Sequence, residues 1–288
     1  DNDAKGVECL KSHNDRSKEW GNENGVLREL LKLTFRSSFW TRSSADGRYI
    51  ANGGGFESGA TISDMHTNRD IGVPSTYDPG FFPDNSGFIF QGGGTAICAQ
   101  SILENAKEEI DFDNPACMRP TNINLYQHVA RGLNGGDYFI INSQFTSDSG
   151  NNSNNDPYAH FNGSSTMKFS PMIYDGQNYV QLSPTIVDSP FEGDSVLSPS
   201  TELVVSRQAG GPDGSSLGFI IRHVGKEKFE DNYKITLSDP VVKICESGAK
   251  ANISFDERFM VTHHYEGVDK NRVLLPFSSQ GPVFWEDV

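Results

Sequence analysis

Five times along this chain a polar turn opens onto a short, mostly apolar run. The phrases are Ser43 to Gly55 (SSADGRYIANGGG), Phe82 to Gly93 (FPDNSGFIFQGG), Leu133 to Ser143 (LNGGDYFIINS), Ser198 to Arg207 (SPSTELVVSR) and Ser254 to His264 (SFDERFMVTHH). Apolar runs this short suit strands bounded by turn chemistry better than helices. One such unit cannot bury its own apolar face, so copies have to cover one another. That predicts an all-β chain assembled from repeats of a single sheet motif.

The units agree in order as well as in composition. After Asp46-Gly47 and the strand Tyr49 to Asn52, Ala60 to Asp64 reads as a hairpin partner, with Gly53, Gly54 and Gly55 permitting the connection. The second unit repeats this with Phe88 to Phe90, glycines 92 to 94, and Thr95 to Cys98. The third carries Tyr138 to Asn142, a polar insertion SDSGNNSNNDPYAHFNGSS, then Thr166 to Ser170 and Gln177 to Leu182. The fourth offers Glu202 to Ser206, Leu217 to Arg222 and Tyr233 to Leu237, and the fifth Arg258 to Thr262 and Arg272 to Leu275. Units recur at intervals of about 40 to 50 residues, the length of a four-stranded propeller blade with variable loops.

Several of the runs (FIF, YFII, LVV, FMV) are continuously apolar rather than alternating, as expected of strands covered on both faces. A two-sheet sandwich could use the same strands, but its strands recur at roughly 8 to 12 residues, shorter than these units. The expected architecture is a β-propeller of about five to six four-stranded blades over residues 35–288. Residues 1–34 form an N-terminal arm placed to complete the last blade. Within it, Val26 to Leu33 suits either a short helix or a closing strand.

The phrases SADGRYIANG and FPDNSGFIFQGG, and more weakly SFDERFMVTHH, resemble the repeats of TolB-type propellers, which read Ser-Pro-Asp-Gly followed by an apolar strand. Ala45 stands where proline is usual. Gly132-Leu133-Asn134 replaces the motif in the third unit, and Ser198-Pro199-Ser200-Thr201 lacks Asp-Gly in the fourth. The resemblance implies a propeller, six or so blades in the usual members, and little about chemistry.

Composition excludes some partners. A formal charge of -14, with no cluster of Lys or Arg interleaved with aromatics, repels a phosphate backbone, so nucleic acid is not an expected partner. No run of 18 apolar residues is present, so no membrane insertion is expected. The N-terminal DNDAKGVECLKSHND lacks the pattern of a signal peptide and fits a processed end or an arbitrary start. Cys9, Cys98, Cys117 and Cys245 are even in number and never spaced as C-x-x-C. They suit disulfides, Cys98 with Cys117 and Cys9 with Cys245, in a secreted or periplasmic protein; the alternative is four buried thiols in the cytosol. Sequons at Asn151, Asn162 and Asn252 fit secretion but are expected by chance in so Asn- and Ser-rich a chain.

Three constellations carry candidate chemistry. His66, His223 and the pair His263-His264 fall at strand ends and form a possible transition-metal set, although adjacent strand residues point to opposite faces. A propeller lyase of the oligogalacturonate type gathers a metal in this way. Asp111, Asp113 and Asn114 offer alternating oxygen ligands for Ca²⁺, and the Asp148 to Asp156 and Asp188 to Asp194 stretches read as further acidic loops. Tyr158, His160 and Phe161 in the Asn-rich insertion are candidate ligand-binding residues on a loop. No G-x-S-x-G elbow, P-loop or G-x-G-x-x-G is present. The expected function is binding of a protein or cell-surface glycan. Alternatives are a polysaccharide lyase or hydrolase with a metal or carboxylate site in the central channel, and a structural subunit of a surface assembly.

Overall fold

The computed structural model describes residues 9–10, 41–53, 59–73, 75, 79–91, 97–101, 116–118, 128–131, 137–144, 163–175, 179–208, 218–230, 232–244, 248–258, 260–264, 270–275 and 284–287. Their regular structure is all β. After β1 (Cys9–Leu10) come five sheets in chain order. The first holds β2 (Thr41–Ser43), β3 (Tyr49–Gly53), β4 (Ala60–Asp64) and β5 (Arg69–Val73), side by side in that order. The second holds β6 (Gly80–Phe81), β7 (Gly87–Gln91), β8 (Ile97–Ser101) and β9 (Ala116–Met118) in the same arrangement.

In the third sheet β10 (His128–Arg131) and β11 (Asp137–Gln144) lead to the long β12 (Thr166–Tyr174). Two short strands share its outer side: β13 (Tyr179–Gln181) opposite Met172 to Tyr174, and β14 (Thr185–Asp188) opposite Thr166 to Phe169. The fourth sheet contains β15 (Glu192–Leu197), β16 (Leu203–Gln208) and β17 (Gly218–Phe229). The near half of β17 pairs with β19 (Val242–Ile244), and its far half leaves the sheet as a hairpin with β18 (Asn232–Leu237). The fifth sheet is β20 (Gly248–Ile253), β21 (Met260–His264), β22 (Lys270–Leu275) and β23 (Phe284–Asp287). Cys9 and Leu10 run parallel to β19 on the fourth sheet, and the fifth takes its fourth strand from β23. The rest of the N-terminal arm lies outside the described residues.

These sheets are blades around a common axis. The first strand of each touches the first strand of the next, β2 to β6, β6 to β10, β10 to β15 and β15 to β20. Neighbouring sheets bury apolar faces against each other, as a propeller requires. Tyr49, Ala51 and Ile62 meet Phe81, Phe88 and Phe90 in the first seam. Phe82 and Ile89 meet Tyr138, Ile140 and Met172 in the second. Phe139, Ile141, Met167 and Phe169 meet Leu197, Val204 and Val224 in the third, and Val205, Phe219 and Ile221 meet Ala251, Ile253 and Met260 in the fourth.

The continuous apolar runs now have a physical reason. They are the second strands of the blades, and successive side chains enter different seams because a strand alternates its faces. Phe88 and Phe90 serve the first seam while Ile89 serves the second. Likewise Tyr138 and Ile140 face one neighbour, Phe139 and Ile141 the other.

One expectation is corrected. Asp188 to Asp194 is not a solvated acidic loop: Asp188 ends β14, and Glu192 and Asp194 are buried on β15. The Arg222 guanidinium forks onto the Glu192 carboxylate, with Nε–O distances of 3.1 and 3.3 Å, and Arg207 pairs with Asp194. Burial of these acids is tolerable because each has an arginine partner with matching donor geometry. Asp194 takes φ 46° where the β15 register shifts against β16, a bulge that bends this inner strand.

Candidate interaction rim

Four blades share one turn, which gathers their side chains on one rim. Gly47, Asn85, Thr201 and Glu257 occupy equivalent positions, with φ of 72°, 62°, 63° and 57°. Their N–H groups donate to the carbonyls of Ser44, Phe82, Ser198 and Ser254, three residues earlier, at 3.0, 3.1, 2.8 and 2.9 Å. A left-handed residue closing such a turn is the usual way to bring two strands back side by side.

The Ser-x-Asp pattern supplies acceptors for the backbone donors this turn would leave unsatisfied. Ser44 Oγ donates to Asp46 at 2.6 Å and accepts the Tyr49 N–H at 2.9 Å. Asp84 accepts the Ser86 N–H and hydroxyl, and Asp256 accepts the Ser254 hydroxyl and the Arg258 N–H. In the fourth blade Ser198 and Ser200 take these roles for the N–H groups of Leu203 and Glu202. The departure from Asp-Gly in that unit therefore changed the chemistry and left the turn intact.

At this rim a polar contact crosses each of the four seams among the described residues. The Asp46 N–H donates to Asn85 Oδ1 at 3.1 Å. The Tyr138 hydroxyl donates to Asp84 at 2.9 Å. Asp137, buried beside Tyr138, accepts the Tyr233 hydroxyl and pairs with Lys228 at 3.3 Å. The Ser200 N–H and hydroxyl donate to Glu257, the hydroxyl at 3.0 Å. The first and fourth of these links join turn to turn, and the second and third tie β11 to the second turn and to the β17–β18 hairpin.

The β17–β18 hairpin rises from the same rim. Its strands pair closely at Gly225, where an added Cβ would collide with Oγ1 of the register partner Thr236. Tyr233 and Ile235 seal the third seam, and Lys226 donates to the Ser200 carbonyl at 3.0 Å and to Thr201 Oγ1. Burial pushes the Lys226 amine below the usual lysine range, with Glu202 and Glu257 pulling the other way. Burial also pushes the Tyr233 phenol up, and the Asp137 carboxylate adds to that shift. The hairpin exposes Phe229, 68% accessible, and the fifth turn exposes Phe255 at 37%. On the same rim Asp46 and His66 of the first blade, Glu202 of the fourth, and Asp256 and Arg258 of the fifth are also exposed.

In the first blade burial alone would raise the Asp64 carboxyl. Arg48, the His66 N–H and Thr67 outweigh it and hold that group at about 2. The Arg48 guanidinium reaches it at 3.1 Å.

The histidines proposed as a metal set are not brought together. His66 lies on the β4–β5 turn and His223 on β17, both exposed at the rim, on different blades. His263 and His264 end β21, opposite Asn271 and Lys270, away from the rim where Met260 begins that strand. Among the described residues no group of three or more His, Cys, Asp or Glu could hold a metal ion. Asp111, Asp113, Asn114, Tyr158, His160, Phe161 and Cys245 lie outside the described residues. Cys98 and Cys117 are direct register partners across β8 and β9. Sequence reasoning missed the rim links and the hairpin. The Asp recurring at one offset in the first, second and fifth turns signalled the former, and nothing in the run Val224 to Phe229 signals that it leaves its sheet.

The rim and the ring of inner strands define a β-propeller protein. No family model and no curated protein matches the chain. Among solved structures, the β-propeller domain of Myceliophteria thermophila Cps50 (Swd1) has a TM-score of 0.45 at 10% identity, covering 87% of this chain and 88% of that one. Kuenenia stuttgartiensis hydrazine synthase gives 0.44 at 12%, over 87% and 80%. Oligogalacturonate lyase from Vibrio parahaemolyticus gives 0.43 at 12%, over 88% and 77%. Likenesses at this level say nothing about the chemistry of this chain.

Proposed function

We propose that this chain is a binding propeller of TolB-type repeats that docks a protein partner on the turn rim, in a secreted or periplasmic setting. The observation that carries the reading is the line of polar contacts that crosses the four described seams at this rim, joining turn to turn between the first and second and between the fourth and fifth blades. A rigid rim presenting charged groups of both signs and the aromatics Phe229 and Phe255 suits recognition, because little entropy is lost on docking and exposed aromatics make good anchors. The Ser-x-Asp turns are what TolB-type repeats lead one to expect.

The test is site-specific photo-cross-linking in an extract of the native source, with the reactive side chain at Phe255 or, as a control, at Ile186 on the outer strand β14. Protein adducts specific to the Phe255 position, reduced at least tenfold by Phe229→Ala with Asp256→Ala, are expected. Equal labelling from both positions, or retention on immobilised glycans abolished by free sugar, would sink the protein-docking reading. Stoichiometric Mn, Zn or Fe in protein purified without added metal would instead favour the lyase or hydrolase alternative.

A further inference from the structure

The second blade carries a covalent site that the docking reading does not use. Cys98 on β8 and Cys117 on β9 are Cα partners in an antiparallel ladder, between the pairs Ile97 with Met118 and Ala99 with Ala116. Directly opposed residues in such a ladder lie about 4.5 or 5.5 Å apart at Cα, depending on the hydrogen-bonding site, and share a face of the sheet. Both spacings fall within the roughly 4.4 to 6.8 Å that a disulfide spans. Among the described residues β9 lies at the edge of its sheet, its three residues paired with β8. An edge strand that short gains most from a covalent tie to its neighbour.

We propose that Cys98 and Cys117 form a cross-strand disulfide that fastens β9 to the second blade. It forms by exchange with a disulfide donor such as oxidised glutathione. One cysteine thiolate attacks the donor, making a mixed disulfide and releasing one thiolate. The second cysteine thiolate then attacks the mixed disulfide and releases the other. Two electrons pass to the donor, the two cysteine protons end on the released thiols, and no other reactant is needed. Such a bond persists in an oxidising compartment, which deepens the secreted or periplasmic part of the reading above without depending on any partner.

The test is peptide mapping of the full chain after equilibration with oxidised glutathione, alkylation in denaturant without reductant, and proteolysis. The expected result is one linked species joining the Cys98 and Cys117 peptides and lost on reduction. Cys98→Ser, Cys117→Ser and the double variant should lower Tm equally, by on the order of 5 to 10 °C, because each removes the same bond. Two alkylated thiols after oxidation, or linkage of either cysteine to Cys9 or Cys245, would overturn the proposal. Native mapping decides the matter even where a variant fails to fold, and failure of the docking experiment leaves it untouched.

Discussion

The turns of the first and fourth blades have the same backbone and reach it by different means. In the first, Gly47 adopts φ 72° with no atom within 4 Å of an added Cβ, and Ser44 and Asp46 supply the acceptors from within the turn. In the fourth, Thr201 adopts φ 63°, a conformation that a β-branched residue disfavours, and Ser200 stands in for the carboxylate. That turn is held from outside, by Lys226 of the hairpin and Glu257 of the next blade. The first turn is specified locally; the fourth depends on its tertiary surroundings.

The strongest way to break this contrast is to loosen the hairpin. Tyr233→Phe removes the phenol that donates to buried Asp137 and should cost about 2 to 3 kcal/mol in denaturant unfolding. Proteolytic nicking should rise near Thr201 while the first turn stays protected; equal exposure of both would refute the asymmetry.

Next in size is exchange of the left-handed residues. Gly47→Val should cost about 1 to 2 kcal/mol from backbone strain alone, since no clash opposes the side chain. Thr201→Gly should lie within about 0.5 kcal/mol of the parent, because relief of strain offsets loss of the hydroxyl that accepts from Lys226. With Lys226→Met already in place, the same glycine should stabilise by about 1 kcal/mol. A zero coupling energy in that double-mutant cycle would show that Lys226 does not support the turn.

The smallest effect separates the blades by acid. The Asp64 carboxyl sits at about 2, below its ordinary value of 3.8. The stability it contributes is therefore fully present above pH ~4 and lost as pH falls through ~2. Discounted for the Arg48 side chain, which is 37% exposed, this amounts to about 1 to 2 kcal/mol. Amide exchange at Met65 and Asn68 should quicken over that window, and Asp64→Asn should remove the change. Exchange at Val204 and Val205, on the buried strand β16 of the fourth blade, should follow the global unfolding curve instead.

Much of the frame was legible from residue pattern. Tyr49 to Asn52 and Ala60 to Asp64 are strands β3 and β4, with β4 matching residue for residue. The runs FIF, YFII and LVV mark strands packed on both faces, because a strand covered on both sides needs apolar residues at consecutive positions. Less legible was β15: Glu192, Gly193, Asp194 and Ser195 read as loop because nothing local reveals that Arg222 and Arg207 lie opposite to neutralise them. The histidines misled in the other direction. Their positions at strand ends said nothing about which end of the blade each would occupy, and only the strand directions separate His264 from His66 and His223.

By itself the sequence determined the local events, namely where the chain turns, which strands follow, and that those strands need cover on both sides. Side-chain chemistry within a few residues is enough for that, as Ser44, Asp46 and Gly47 demonstrate. Tertiary structure decided which turns need outside support, where β17 leaves its sheet, and which charges are buried in pairs. Each of those depends on groups 13 to 96 residues apart, from Arg207 and Asp194 to Tyr233 and Asp137. The free energy of such contacts arises only after the blades have packed and excluded water around them.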